Sequence, residues 1–160
     1  RLPLPLAAGG MSGHDTGGDG MTEADRANLA TARRLYEAAG RGDWAAAEAE
    51  LHPELEIHEA ESMPYAGVYR GRDALQRLSA IVYGTWPGTR VERLGMAAGD
   101  GRVVVFFRMR IDAPDGPLAH DIVEVNEFRD GKVAVIRPFY WDTGAMAALA
   151  RRLAQQGDQH

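Results

Sequence analysis

Apolar residues recur at helical spacing from Thr22 onward. Leu29, Ala32, Leu35, Tyr36 and Ala39 form the repeat, with acidic Glu23 and Asp25 in the first turn. The pattern predicts an amphipathic helix that Gly40 and Gly42 stop. Asp43 is placed to cap a second helix, Trp44 to Leu51, which His52-Pro53 ends. The period then changes to two. Leu55 to Glu59 reads as a strand, residues 60–71 as a loop rich in Gly, Pro and Tyr, and about 72–83 as a third helix. After the break at Trp86-Pro87-Gly88, four alternating runs follow at about 89–98, 102–112, 117–129 and 132–141. Gly99-Asp100-Gly101, Pro114-Asp115-Gly116-Pro117 and Asp130-Gly131 separate them, and Asp-Gly between alternating runs is a strong hairpin signal. A closing helix, about Thr143 to Gln155, leads into a polar tail, 156–160.

Three helices followed by a meander of strands predict an α+β fold. With long strands and few helices, the sheet must curl to bury one face. The expected shape is a cone-shaped curled sheet, antiparallel or mixed, closed by the three N-terminal helices around an internal pocket. One domain spans 22–155. Residues 1–21 begin without Met, carry Pro3, Pro5 and Gly-rich stretches, and read as a disordered leader or a remnant of expression.

Two polar positions interrupt the apolar alternation. Glu59 shares a face with Leu55 and Ile57, and Glu124 with Ile122 and Phe128. A carboxylate on an inward face is costly to ionise, so its pKa rises. Two such groups in one cavity can divide the labour of acid and base. His120 and Asn126 lie on the face of Glu124 at i−4 and i+2. His120 is a candidate catalytic partner and Asn126 an orienting donor, whereas His58 falls opposite Glu59. Tyr65 and Trp86, flanking the third helix, are expected at the pocket rim, with Tyr140 and Arg108 as further substrate contacts. Asp142 is placed to cap the closing helix.

Composition narrows the partners. The 160-residue chain has a formal charge of −5 and no basic stripe, which disfavours nucleic acid. It has no cysteine, in keeping with a reducing cytoplasm, and no apolar run approaching the roughly 20 residues of a membrane helix. No metal-ligand spacing, serine elbow or phosphate cradle stands out, so neither metal nor cofactor is expected. Val123 and Val125, opposite Glu124, leave a second apolar sheet face that a homodimer would cover.

Several short motifs resemble a known superfamily. Gly42-Asp43-Trp44 is similar to the Gly-Asp-hydrophobic turn of nuclear transport factor 2-like proteins. So is Pro64-Tyr65-Ala66-Gly67-Val68-Tyr69-Arg70-Gly71-Arg72-Asp73-Ala74-Leu75, which resembles their lead into helix three. Gly131-Lys132-Val133 through Arg137-Pro138-Phe139-Tyr140-Trp141-Asp142-Thr143 resembles the final strand of SnoaL-like polyketide cyclases. The resemblance spans about 25–150 and implies a cystatin-like α+β barrel. Within the superfamily, Glu59 and Glu124 match the two carboxyl positions of ketosteroid isomerases. Their catalytic tyrosine falls on Leu35, with Tyr36 one residue off and on another face, which disfavours steroid-type isomerisation. The Arg-x-Asp of limonene-type epoxide hydrolases is absent from Arg108-Met109-Arg110. The two-carboxylate group remains: polyether-type epoxide hydrolases and pyran-forming cyclases.

The expected protein is therefore a cofactor-independent enzyme with Glu59 as base and Glu124 as acid. It would close a ring or open an epoxide on a polyketide-like, largely apolar substrate. The alternatives are an isomerase or dehydratase using the same pair, and a non-catalytic binding or dimerisation module.

Overall fold

In the computed structural model, which describes residues 20–86 and 88–157, the helical spacing after Thr22 becomes helix α1, Glu23–Gly40. The leader expected over 1–21 lies outside the described residues except for its last two, and Pro87 and the last three residues of the tail lie outside them as well. The Thr22 hydroxyl caps α1 by accepting from the Asp25 N–H at 3.0 Å. Helix α2, Trp44–Ala49, starts at Asp43, whose carboxylate accepts from the Ala46 N–H at 3.1 Å. The remaining elements are β1 (Leu51–Glu59), β2 (Gly67–Arg70), α3 (Ala74–Thr85), β3 (Arg90–Gly99), β4 (Arg102–Ala113), β5 (Gly116–Arg129), β6 (Lys132–Tyr140) and α4 (Thr143–Gly157).

The six strands form one mixed sheet in the order β2-β1-β6-β5-β4-β3. All neighbours are antiparallel except β1 and β6, which run parallel. The sheet curls but does not close into a barrel, because β2 and β3 stay as free edges. All three Asp-Gly signals join antiparallel strands: Asp100, Gly101, Asp130 and Gly131 take positive φ between 50° and 72°, and Gly116 takes 115°. Two boundaries differ from the sequence reading. Strand β1 starts at Leu51 and runs through Pro53, absorbing it in a register shift between Leu51 and Glu56. Residues 67–70 form edge strand β2 inside the expected loop, paired with β1 through Ile57–Tyr69 and its neighbours. A four-residue edge strand is too short to carry its own period.

Alternation decides what faces in. On β4, Val103, Val105, Phe107, Met109 and Ile111 are buried while the residues between them are not. Helix α1 lies across this inner face with Ala32, Leu35 and Ala38 buried. Three bonds lock it to the hairpin turns: Asn28 donates to the Gly101 carbonyl, Thr31 to the Gly131 carbonyl, and the Gly101 N–H donates to Asp25. Helices α2 and α3 and the buried Met146 and Leu149 of α4 complete the core.

Candidate active site

Glu59 ends β1 on the row of Leu55 and Ile57, and all three are buried. Glu124 sits mid-β5, on the row of Ile122 and Asn126, paired with Val105 on one side and Pro138 on the other. The ladder between β1 and β6 ends at Ile57–Ile136, two residues before Pro138, which has no N–H to extend it. Continuing that register by two residues sets Glu59 alongside Pro138. The glutamates thus flank one strand, their backbones about 10 Å apart, on the concave side of the sheet.

Both line one cavity of about 630 Å³. Phe107 and Ile122 form its sheet wall with Tyr140, while Leu75, Leu78 and Val82 of α3 face them. At the rim, Arg93 of β3 reaches Glu37 of α1 at 3.5 Å. Apart from Glu37, Arg93 and Gln76, the lining is apolar with a few hydroxyls and the two inward carboxyls, the usual make-up of a small-molecule site.

Each carboxyl has its own hydrogen-bond partners. The Tyr36 hydroxyl lies 2.6 Å from Glu124 Oε2 and 2.9 Å from Asn126 Oδ1, and Asn126 Nδ2 donates to the Val103 carbonyl at 3.3 Å. Across the cavity the Tyr140 hydroxyl donates to Glu59 Oε2 at 3.0 Å. Tyr65 and Tyr140 hydroxyls are 3.2 Å apart, and the Trp86 indole N–H donates to the Tyr65 oxygen at 3.2 Å. Burial pushes Glu59 up to about 7, against the Tyr140 hydrogen bond and with help from the nearby Glu124 charge. Burial also raises Glu124, with the Tyr36 hydrogen bond opposing. The Tyr36 phenol is held well above its ordinary value by burial and by Glu124.

Of the residues singled out in the sequence, the structure brings Glu59, Glu124, Tyr65, Tyr140, Asn126 and Trp86 into these two hydrogen-bonded chains. Their placement differs in part from expectation. Tyr65 and Trp86 are buried supports rather than rim contacts, and Trp86 does not border the cavity. Neither does Asn126, which is fully buried behind Tyr36.

His120 does not join Glu124. It faces inward as alternation requires, but four residues along β5 is about 13 Å toward the other end of the strand. There it packs near Tyr140, with ring centroids 6.1 Å apart, and its Nε2 accepts from the Asp142 N–H at 3.4 Å. Burial lowers its pKa against the pull of Asp142 and Asp121. Arg108 points to the opposite face, bound to both Asp121 oxygens at 2.7 and 2.9 Å. His120, Arg108, Asp121 and Trp141 instead border a separate shallow hollow. Asp142 caps α4, accepting from the Ala145 N–H at 2.9 Å.

Tyr36 is the cavity residue for which spacing and structure differ. Leu35 is fully buried in the core, while Tyr36, one step round the helix, packs on Phe107 and carries its hydroxyl to Glu124. Its signal was its place on the apolar face of α1 near the helix end. That it reaches the cavity depends on how α1 crosses the sheet. No group of three or more metal-ligating side chains occurs among the described residues.

The fold is matched by known proteins. The model of the SnoaL-like domain matches residues 32–136, and the chain belongs to that family. Among solved structures, Bal32a from a soil-derived mobile gene cassette is 24% identical, with 81% of this chain and 100% of that one aligned at a TM-score of 0.71. TerC, crystallised with polyporic acid, is 23% identical over 78% of this chain and 98% of its own, with a TM-score of 0.67. A SnoaL-like protein from Jannaschia sp. CCS1, assigned as a polyketide cyclase, is 17% identical over 83% and 98%, with a TM-score of 0.67. At these identities the likeness is one of fold. No curated protein matches the chain significantly.

Proposed function

We propose that the protein is a cofactor-independent acid–base enzyme that closes a ring or opens an epoxide on a largely apolar, polyketide-like substrate. One observation carries this reading: two carboxyls of raised pKa, on separate strands, line one cavity and each is held by a tyrosine hydroxyl. In the proposed step Glu59 takes the proton from a hydroxyl of the substrate or from water. That oxygen bonds to the electrophilic carbon, the carbon–oxygen bond of the epoxide breaks, and Glu124 gives its proton to the departing oxygen. Glu59 ends protonated and Glu124 ionised, and exchange with solvent resets both. Membership of a family with a relative assigned as a polyketide cyclase supports the substrate class.

A second reading is favoured by Tyr36. A phenol 2.6 Å from a protonated carboxyl forms a pair of donors suited to a developing enolate oxygen. With Glu59 shuttling a proton between carbons, the same cavity would isomerise or dehydrate a carbonyl substrate. The test is a panel of hydroxy-epoxides and hydroxy-enones assayed with wild type, Glu59→Gln and Glu124→Gln. Ring closure or diol formation that falls about 100- to 10,000-fold in each variant is the expected result. Isomerised enone without ring formation would select the second reading. Wild-type turnover in either variant would remove both.

A further inference from the structure

The two hydrogen-bonded chains have directions, and the directions differ. Every buried side-chain nitrogen and oxygen among the described residues has a partner, so hydrogens can be assigned along each chain. Near Glu124 the chain ends on the Val103 carbonyl, which only accepts. Asn126 must therefore turn its amide nitrogen to Val103 and its oxygen to Tyr36. The single Tyr36 hydrogen faces two oxygens, Asn126 Oδ1 and Glu124 Oε2. Given to Asn126, which has no other donor among the described residues, it leaves Tyr36 to accept from Glu124, which requires a hydrogen on Glu124. Near Glu59 the chain begins on the Trp86 indole, which only donates. The Tyr65 hydrogen then passes to Tyr140 and the Tyr140 hydrogen to Glu59. The reverse order would leave the Tyr65 hydrogen with no acceptor among the described residues.

We propose that Asn126 and Trp86, neither of which borders the cavity, are positioning residues that set Glu124 as the resting acid and Glu59 as the resting base. The inference rests on the acid–base reading of the two glutamates and deepens it by naming the buried groups that fix their roles. The groups facing Glu124 allow it: Tyr36 from α1, Glu59 from β1, Tyr140 from β6, and only apolar Val105 and Phe107 from β4. Arg93 of β3, at the rim, is engaged with Glu37. With one site set to donate and the other to accept, the pair starts each cycle in one of its two singly protonated forms. Burial raises both carboxyls, which limits the cavity to a single charge; a Glu124 charge that raises Glu59 belongs to the opposite singly protonated form, which the hydrogen-bond directions disfavour.

The experiment needs no substrate. Protein carrying ¹³C-carboxyl glutamate is titrated by infrared spectroscopy, and Glu124→Gln and Glu59→Gln difference spectra assign the bands. Above the Glu59 midpoint, Glu124 is expected as a protonated carboxylic acid and Glu59 as a carboxylate. Asn126→Leu removes the acceptor for Tyr36, freeing its hydrogen for Glu124, so the Glu124 midpoint is expected to fall by about one pH unit. Trp86→Phe removes the donor that polarises Tyr65 and, through Tyr140, strengthens the hydrogen bond to the Glu59 carboxylate, so it is expected to move the Glu59 midpoint up. Opposite signs are the signature, because a loosened core that admits water would lower both midpoints. Midpoints that both fall, or do not move, overturn the assignment. So does a wild-type spectrum with Glu59 protonated and Glu124 ionised, which settles the matter if a variant fails to fold. Loss of the acid–base reading would appear in the turnover assays instead, leaving these spectra unchanged.

Discussion

Burial holds Glu59 at about 7, above its ordinary value of 4.5, and the same shift acts on folding. Between those two values the folded chain binds more protons at this site than the unfolded chain, so stability falls as pH rises from about 4.5 to 7 and is flat beyond. Each tenfold change in acidity is about 1.4 kcal/mol, which makes the full effect about 3 kcal/mol. Glu59→Gln is therefore expected to gain stability over wild type near pH 8 but not near pH 4, read from urea midpoints at the two pH values. An unchanged pH slope in the variant would mean the carboxyl is not desolvated. The same midpoint governs the proposed chemistry. A base must be ionised, so kcat/KM is expected to rise with pH through about 7. A profile that falls through that value would assign Glu59 as the acid.

Helix α1 converts two neighbouring residues to different ends. Leu35 fills the core and Tyr36 meets Glu124, and both depend on the ties of Asn28, Thr31 and Asp25 to the hairpin turns. Leu35→Ala should cost about 2–5 kcal/mol, read from chemical denaturation, because it opens a hole in a closed core. Tyr36→Phe should leave stability close to wild type while lowering turnover, since it keeps the ring packed on Phe107 and removes only the hydroxyl. Equal loss of stability in both variants would show Tyr36 to be structural. Strand β6 works at the same scale: Pro138 stops its ladder to β1 where the cavity lies, between the rows that carry Glu59 and Glu124.

For the whole molecule the outer face of the sheet is the open question with a physical answer. Phe106 pairs with Val123, and Val123 with Phe139, making an apolar row across β4, β5 and β6. Phe139 is 53% exposed and Trp141 beyond it 88%. Salt bridges border the row, Arg108 with Asp121 on one side and Arg102 with Glu127 on the other. Such a face, apolar at its centre and polar at its edge, fits a second copy of this chain, and we propose a homodimer through it. Sedimentation is expected to show a dimer that Phe139→Glu converts to monomer without unfolding. A monomeric wild type at micromolar concentration would dismiss it. No helix among the described residues is long and apolar enough to cross a membrane.

Periodicity alone determined most of the architecture, because alternation and capping are local physics. The Asp-Gly turns, the inward row of β5, the caps at Asp43 and Asp142, and the inward glutamates could all be read from spacing. Strand β2 could not, since its four residues pair only because β1 presents an edge. Alternation also says which face a residue takes but not how far along the strand the cavity extends, so spacing groups His120 with Glu124 although the strand carries it to another hollow. Tyr36, Trp86 and Asn126 acquired their hydrogen-bond partners from the crossing of α1 and the burial of α3's end, which no local pattern encodes. The sequence by itself specified two costly carboxyls on inner faces. Only the tertiary structure, by closing α1 and α3 over the curled sheet, decided that they share one cavity and which tyrosine hydroxyl meets each of them.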